Sequence, residues 1–88
     1  MKVRFRASFA DDLRRIKQPE VLKRVQGAVE RVQRAEGMAD IPNLRKLAGA
    51  AQHYRVRLGD YRIGLNIDRD VATFVRCLHR KDIYRYFP

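Results

Sequence analysis

Three arginines set at alternating positions around a tight turn are the residues of this chain best suited to chemistry. They are Arg55, Arg57 and Arg62, within His53-Tyr-Arg-Val-Arg-Leu58, Gly59-Asp60 and Tyr61-Arg-Ile-Gly-Leu-Asn-Ile67. A two-residue Gly-X link between two alternating runs predicts a β-hairpin with a type I′ or II′ turn. With Gly59-Asp60 as the loop, Leu58 faces Tyr61, Arg57 faces Arg62 and Arg55 faces Gly64. Tyr54, Val56, Leu58, Tyr61, Ile63, Leu65 and Ile67 then share the other, apolar face. Like charges directly opposed across strands are destabilising. At a surface-like dielectric the repulsion is roughly 3–4 kcal/mol before screening. An anion between the two guanidinium groups turns that repulsion into binding, and Gly64 leaves room beside Arg55 for a ligand. Plain solvation of an outer sheet face also explains alternating charge. It explains less well why residues 53–67 hold three arginines and a single acid, Asp60, which sits in the turn.

A row of cations permits one reaction without a metal. RNA carries its own nucleophile, the 2′-hydroxyl, so a protein need only stabilise the phosphate's developing charge and move a proton from the 2′-oxygen to the leaving 5′-oxygen. His79 is a proton-transfer candidate, because imidazole is the side chain that exchanges protons near neutrality. Tyr84, five residues on, reaches the same face if the tail caps the sheet. The competing readings are a strand-end hydrogen bonder for His79 and core packing with a wet hydroxyl for Tyr84. Other chemistries are disfavoured. There is no Gly-rich phosphate loop and no serine nucleophile elbow. Carboxylates are sparse and unpaired on the predicted strands, which argues against hydrolysis by two acids or by a metal they would hold. Two histidines and one cysteine are too few for the usual zinc ligand set. Cys77 reads as a small core residue rather than a nucleophile. No cofactor is expected.

The whole chain shares the bias of the row. Its 88 residues carry 20 Lys+Arg against 10 Asp+Glu, a net charge of +10, which favours an anionic partner. A hydrophobic share of 45% is that of a globular protein and not of a disordered one. No apolar run approaches the roughly 18 residues of a membrane span. The start, MKVRFRASFADD, reaches acid before any apolar stretch and does not read as a secretory signal. A reduced, cytoplasmic protein forming one domain over residues 1–88 is expected.

The elements that must position the row are legible from periodicity. Val3 and Phe5 alternate with Lys2, Arg4 and Arg6, as in a strand with one buried face. Ser8 followed by Asp11 resembles a capping box, Asp11 and Asp12 suit a first turn where the helix dipole favours acid, and Phe9, Leu13 and Ile16 then make a one-sided helix. Pro19 suits the start of a second helix, with the stripe Val21, Val25, Ala28, Val32 and Ala35 and a stop near Gly37. Residues 38–52 read as irregular, with Leu44 and Leu47 as anchors. After the hairpin, a three-residue turn at Asp68-Arg69-Asp70 leads to a last strand, Val71 to Leu78. In that register Val71, Thr73, Val75 and Cys77 face the helices, and Arg76 joins the arginines opposite Arg62. The tail reads as a short helical turn. The expected architecture is α+β with two layers: an N-terminal strand and a helical hairpin on an antiparallel sheet of about four strands.

Four blocks carry a resemblance: Leu44-Arg45-Lys46-Leu47-Ala48-Gly49, Tyr54-Arg55-Val56-Arg57, Gly59-Asp60-Tyr61-Arg62-Ile63 and His79-Arg80-Lys81-Asp82-Ile83-Tyr84-Arg85. In this order, behind a strand and two helices, they resemble the RelE/ParE superfamily of toxins from type II toxin–antitoxin systems. RelE-type members are ribosome-dependent endoribonucleases that cut messenger RNA by the 2′-hydroxyl route and are inhibited by a cognate antitoxin. The resemblance implies an acidic antitoxin, the ribosome and mRNA as partners. It places the two basic positions of the family's second strand on Arg55 and Arg57, and its transition-state arginine on Arg62. The general-acid position falls on His79 or Arg80, and the C-terminal tyrosine on Tyr84. Arg45, Lys46, Arg76 and Lys81 are further candidates for RNA contact. Where the best-known member has lysines on the second strand this chain has arginines. ParE-type members share the fold and poison DNA gyrase instead; His79, Tyr84 and the arginine face favour the RelE type. A plain basic RNA-binding module is the third reading.

Overall fold

A computed structural model describes residues 1–47, 49 and 52–88. Ala48 of the Leu44–Gly49 block and residues 50 and 51 of the irregular stretch lie outside the described residues. The elements are β1 (Lys2–Phe5), α1 (Ala7–Arg15), α2 (Pro19–Arg34), a 3-10 turn (Met38–Asp40), β2 (Leu44–Lys46), β3 (His53–Leu58), β4 (Tyr61–Asp68), β5 (Val71–His79) and α3 (Ile83–Tyr86). The strands form one sheet in the order β1-β5-β4-β3-β2. β1 runs parallel to β5, and the other neighbours are antiparallel. The α+β layering is as expected, with two differences: the sheet has five strands, and Leu44–Lys46 is an edge strand rather than a loop anchor. No helix among the described residues is long and apolar enough to cross a membrane.

The helical face of the sheet makes the core. Val56, Ile63, Leu65, Ile67, Ala72, Phe74 and Cys77 from the strands meet Phe9, Ile16, Val25, Ala28, Val32 and Ala35 from the helical layer, and all are buried. Pro19 opens α2, where its missing N–H is no loss and its fixed φ suits a helix. Phe5 lies on the same side, stacked on Phe9 and Phe74, but stays half exposed because β1 is an edge.

Three local expectations are corrected. First, α1 starts at Ala7 without a side-chain cap. The Ser8 hydroxyl donates instead to the Val75 carbonyl of β5, at 2.6 Å. Second, neither Asp11 nor Asp12 lies in the first turn of α1, and Asp12 is not a dipole acid. β1 ends beside Phe74, which leaves the edge of β5 uncovered, and α1 lies along that edge. Asp12, 3% exposed, accepts the Cys77 N–H at 2.9 Å and both ends of the Arg76 guanidinium at 2.7 and 2.9 Å. The unpaired edge amide and the charge of Arg76 are thereby satisfied together. Third, the β4–β5 turn has two residues, since Asp68 faces Val71. That register buries Ala72 and Phe74 rather than Val71 and Thr73. A bulge then follows: Gly64 faces Arg76 while Leu65 faces Phe74, so Val75 is extra. One extra residue reverses the alternation, which returns Cys77 to the core and Arg76 to the outer face. Arg62 consequently faces Leu78, not Arg76.

Removing Asp12 strands the Cys77 amide and a guanidinium whose side chain is only 22% exposed. Asp12→Ala should therefore lower unfolding free energy by about 2–3 kcal/mol, and Asp12→Asn, which keeps an acceptor, by less. Urea denaturation checks both; an unchanged midpoint for Asp12→Ala would show that α1 does not secure the sheet edge this way.

Candidate functional site

The site is built on the β3–β4 hairpin. Gly59 has a φ of +63°, a conformation that costs glycine little and that the first central position of a type II′ turn requires. The turn fixes the register. Leu58 faces Tyr61, Arg57 faces Arg62, and Arg55 faces Gly64. β2 extends the row, because Arg45 lies directly opposite Arg55. Arg45, Arg55, Arg57 and Arg62 thus share the outer face, three strands wide. Asn43, Leu44, Arg45, Arg55 and Arg57 line a cleft of about 390 Å³. Among the described residues none of these four arginines has a carboxylate within ion-pair distance.

Arg62 is half-buried. Its Nη1 donates to the carbonyls of Gly59 at 2.6 Å and Tyr61 at 2.9 Å, which fixes the guanidinium against the turn. Its pKa is lowered, first by desolvation and then by the charges of Arg55 and Arg57; Arg80 acts in the same sense and Tyr84 in the opposite one. Those neighbours define the site. Arg80 joins it from the end of β5, its backbone N–H donating to the Asp60 carbonyl at 2.8 Å. The Arg80 side chain lies 3.9 Å from the Asp60 carboxylate, with both groups largely exposed, so that pair neutralises little.

The tail closes one side of the row. Ile83 and Phe87 are buried. The Phe87 ring rests on Gly64 so closely that a Cβ there would fall 2.6–2.8 Å from three of its atoms. The space expected to admit a ligand at Gly64 is therefore filled by the chain itself. Tyr84 stays exposed, with the Arg55 guanidinium 5.7 Å from its ring centroid. His53, across from Asn66, meets the edge of Phe87 at 5.5 Å.

The structure brings together Arg45, Arg55, Arg57, Arg62, Arg80 and Tyr84, but not the other candidates. His79 pairs with Tyr61 across the strands and so lies on the helical side of the sheet. Its ring meets Tyr61 edge-on at 5.7 Å, and its Nδ1 accepts the Lys81 N–H at 3.2 Å. Lys46 is opposite Tyr54 and also falls on the helical side. Lys81 is an exposed turn residue. Arg76 is on the outer face but held by Asp12, which raises its pKa, and the Tyr86 ring is 5.6 Å away. Cys77 is a core residue as expected; burial pushes its thiol up to about 12. Among the described residues no three His, Cys, Asp or Glu side chains lie together as a metal site. Sequence reasoning missed Asp12 and Phe87. A glycine inside a strand was the one signal for Phe87, because it marks close approach by something.

Residues 3–84 match the model of the ParE toxin of type II toxin–antitoxin systems, parDE. Toxin RelE3 of Methanocaldococcus jannaschii is 38% identical over 89 aligned positions, covering 100% of both chains. The structure of the RelB–RelE antitoxin–toxin complex from Methanococcus jannaschii contains a chain of 34% identity and TM-score 0.82, with 97% of this chain and 99% of that one covered. The archaeal RelE–RelB complex from Pyrococcus horikoshii OT3 shares the fold at 19% identity and TM-score 0.74, covering 93% and 97%.

If the row binds phosphodiesters, affinity for a single-stranded RNA oligomer should fall steeply with salt. Arg57→Ala should flatten the slope of log K against log salt by about 0.7, one phosphate contact on a single strand, while leaving the unfolding midpoint equal or slightly higher. Fluorescence anisotropy at several salt concentrations checks the first and thermal denaturation the second. An unchanged slope would remove Arg57 from the binding face.

Proposed function

The chain belongs to the ParE toxin family of type II toxin–antitoxin systems, within the RelE/ParE superfamily, and we propose that it acts as a RelE-type endoribonuclease on ribosome-bound messenger RNA. One observation carries the reading: Arg57 and Arg62 are directly opposed, flanked by Arg55, Arg45 and Arg80, and among the described residues no carboxylate neutralises the four arginines of the sheet. A gyrase-binding surface gives no reason to build that repulsion onto a rigid sheet. A phosphodiester passing to a phosphorane, which gains negative charge, does.

In this reading the 2′-oxygen attacks phosphorus and the bond to the 5′-oxygen breaks. A 2′,3′-cyclic phosphate and a 5′-hydroxyl remain, and one proton passes from the 2′-oxygen to the 5′-oxygen. Arg55, Arg57 and Arg62 hold the non-bridging oxygens, with Arg62 pre-oriented by its two carbonyl contacts. Arg80 supplies positive charge near the leaving oxygen. The Tyr84 hydroxyl, on the same side, relays the proton. His79 has no part, being on the other face of the sheet. The nucleophile belongs to the substrate and the charge to the arginines, so the cut itself needs no metal. Residues 1–88 act as one domain in the cytoplasm. The partner is an acidic antitoxin, as RelB is the partner of RelE in the solved complexes. Its binding over the row would block RNA.

The family model's ParE designation favours the second reading, inhibition of DNA gyrase without nuclease activity. Brief induction followed by mapping of transcript 5′ ends separates the two. The proposal predicts new 5′ ends inside translated regions, absent when translation is blocked. Arg62→Ala, folded to the same midpoint, should cut about 100–1,000-fold more slowly, the usual loss of one charge-stabilising group. Intact transcripts with trapped gyrase–DNA breaks would overturn the nuclease reading.

A further inference from the structure

The position of Tyr84 needs an explanation that Tyr84 itself does not provide. The residue is 62% exposed, and its contact with the described face is a guanidinium 5.7 Å from the ring centroid. A solvated cation–ring contact of this kind is weak beside the burial of a whole phenyl ring. α3 is a single turn of four residues, too short to hold itself in water. The turn is fixed from its two ends by Ile83 at 1% exposure and Phe87 at 3%. The Phe87 N–H donates to the Ile83 carbonyl at 2.8 Å and closes the turn.

Phe87 has one seat. Its ring covers Gly64, where any side chain would need the space that Cγ, Cδ1 and Cδ2 of the ring already fill. Gly64 faces Arg55 on β3 and is two residues from Arg62 on β4, so the seat lies inside the arginine row. We infer that Phe87, seated on Gly64, is the positioning residue that sets Tyr84 over Arg55. What Tyr84 does there rests on the cleavage reading above; where it sits does not. The glycine thus serves the site by being empty of a side chain, and the anchor of the tail is an apolar ring rather than a charge.

Two measurements test the inference. The first reads location. The Tyr84 ring should shift the Arg55 Nε–Hε NMR signal by its ring current, a shift lost in Tyr84→Ala. Phe87→Ala and Gly64→Ala should each abolish the same shift, while Phe87→Leu keeps most of it. Core amide signals such as that of Cys77 report that each variant is folded. The second reads chemistry. Phe87→Ala should slow single-turnover cleavage of ribosome-bound RNA at least tenfold with RNA affinity within twofold of the parent. Adding Phe87→Ala to Tyr84→Ala should change the rate less than twofold, because the group being positioned is already gone. An Arg55 signal unmoved in folded Phe87→Ala and Gly64→Ala would overturn the inference, as would rate losses that simply multiply. A parent protein that cuts no RNA but shows the expected NMR losses would uphold the positioning and overturn the cleavage reading alone.

Discussion

Two arginines, Arg57 and Arg62, are held directly opposite each other by a β-hairpin register that their charges oppose. The opposition is overridden on the other side of the same strands. Val56, Ile63, Leu65 and Ile67 are buried against the helices, and a slip of one residue would exchange that apolar set for the arginines. Gly59 gives the turn a geometry that allows only this pairing. The hydrophobic face therefore sets the charge on the outer face, and the free protein carries a repulsion that only an anion relieves.

The handling of acid elsewhere in the chain keeps that repulsion in place. Asp12 serves Arg76 and the edge amide of Cys77. Asp11 pairs with Arg14 on the surface of α1. Asp60, the acid nearest the row, approaches Arg80 only loosely. The bulge at Val75 matters for the same reason. It brings Arg76 to the outer face yet leaves it committed to Asp12, so Arg76 serves to anchor α1 and to meet Tyr86 rather than to join the row. One arginine is structural, and among the described residues its neighbours on β2, β3 and β4 have no carboxylate partner.

The sequence disclosed the part of this arrangement that depends on short-range rules. Gly-Asp between two alternating runs specifies turn, register and face together, so Arg55, Arg57 and Arg62 were readable directly. The β4–β5 pairing was not. Val71-Ala-Thr-Phe-Val-Arg-Cys-Leu78 is apolar on both alternations, and a bulge that changes phase midway leaves no local mark. Leu44-Arg-Lys46 is too short to announce a strand, which hid the opposition of Arg45 and Arg55. Asp12 looked like a helix-dipole acid because its partners are 64 and 65 residues away. His79 was readable by parity: any register that turns Cys77 to the core turns His79 to the same side, away from the arginines. Gly64 was noticed as a gap, but the sequence alone does not show that Phe87 fills it.

Cleavage by this chain requires a phosphodiester to sit on the outer-face arginines. Arginine Nε–Hε correlations, followed by NMR while an uncleavable 2′-O-methyl RNA trimer is added, examine that most directly. Arg55, Arg57 and Arg62 should move first and together, ahead of Arg24 and Arg31 on α2 and with Arg76 nearly still. Shifts confined to the α2 arginines, with the row unmoved at saturation, would contradict it.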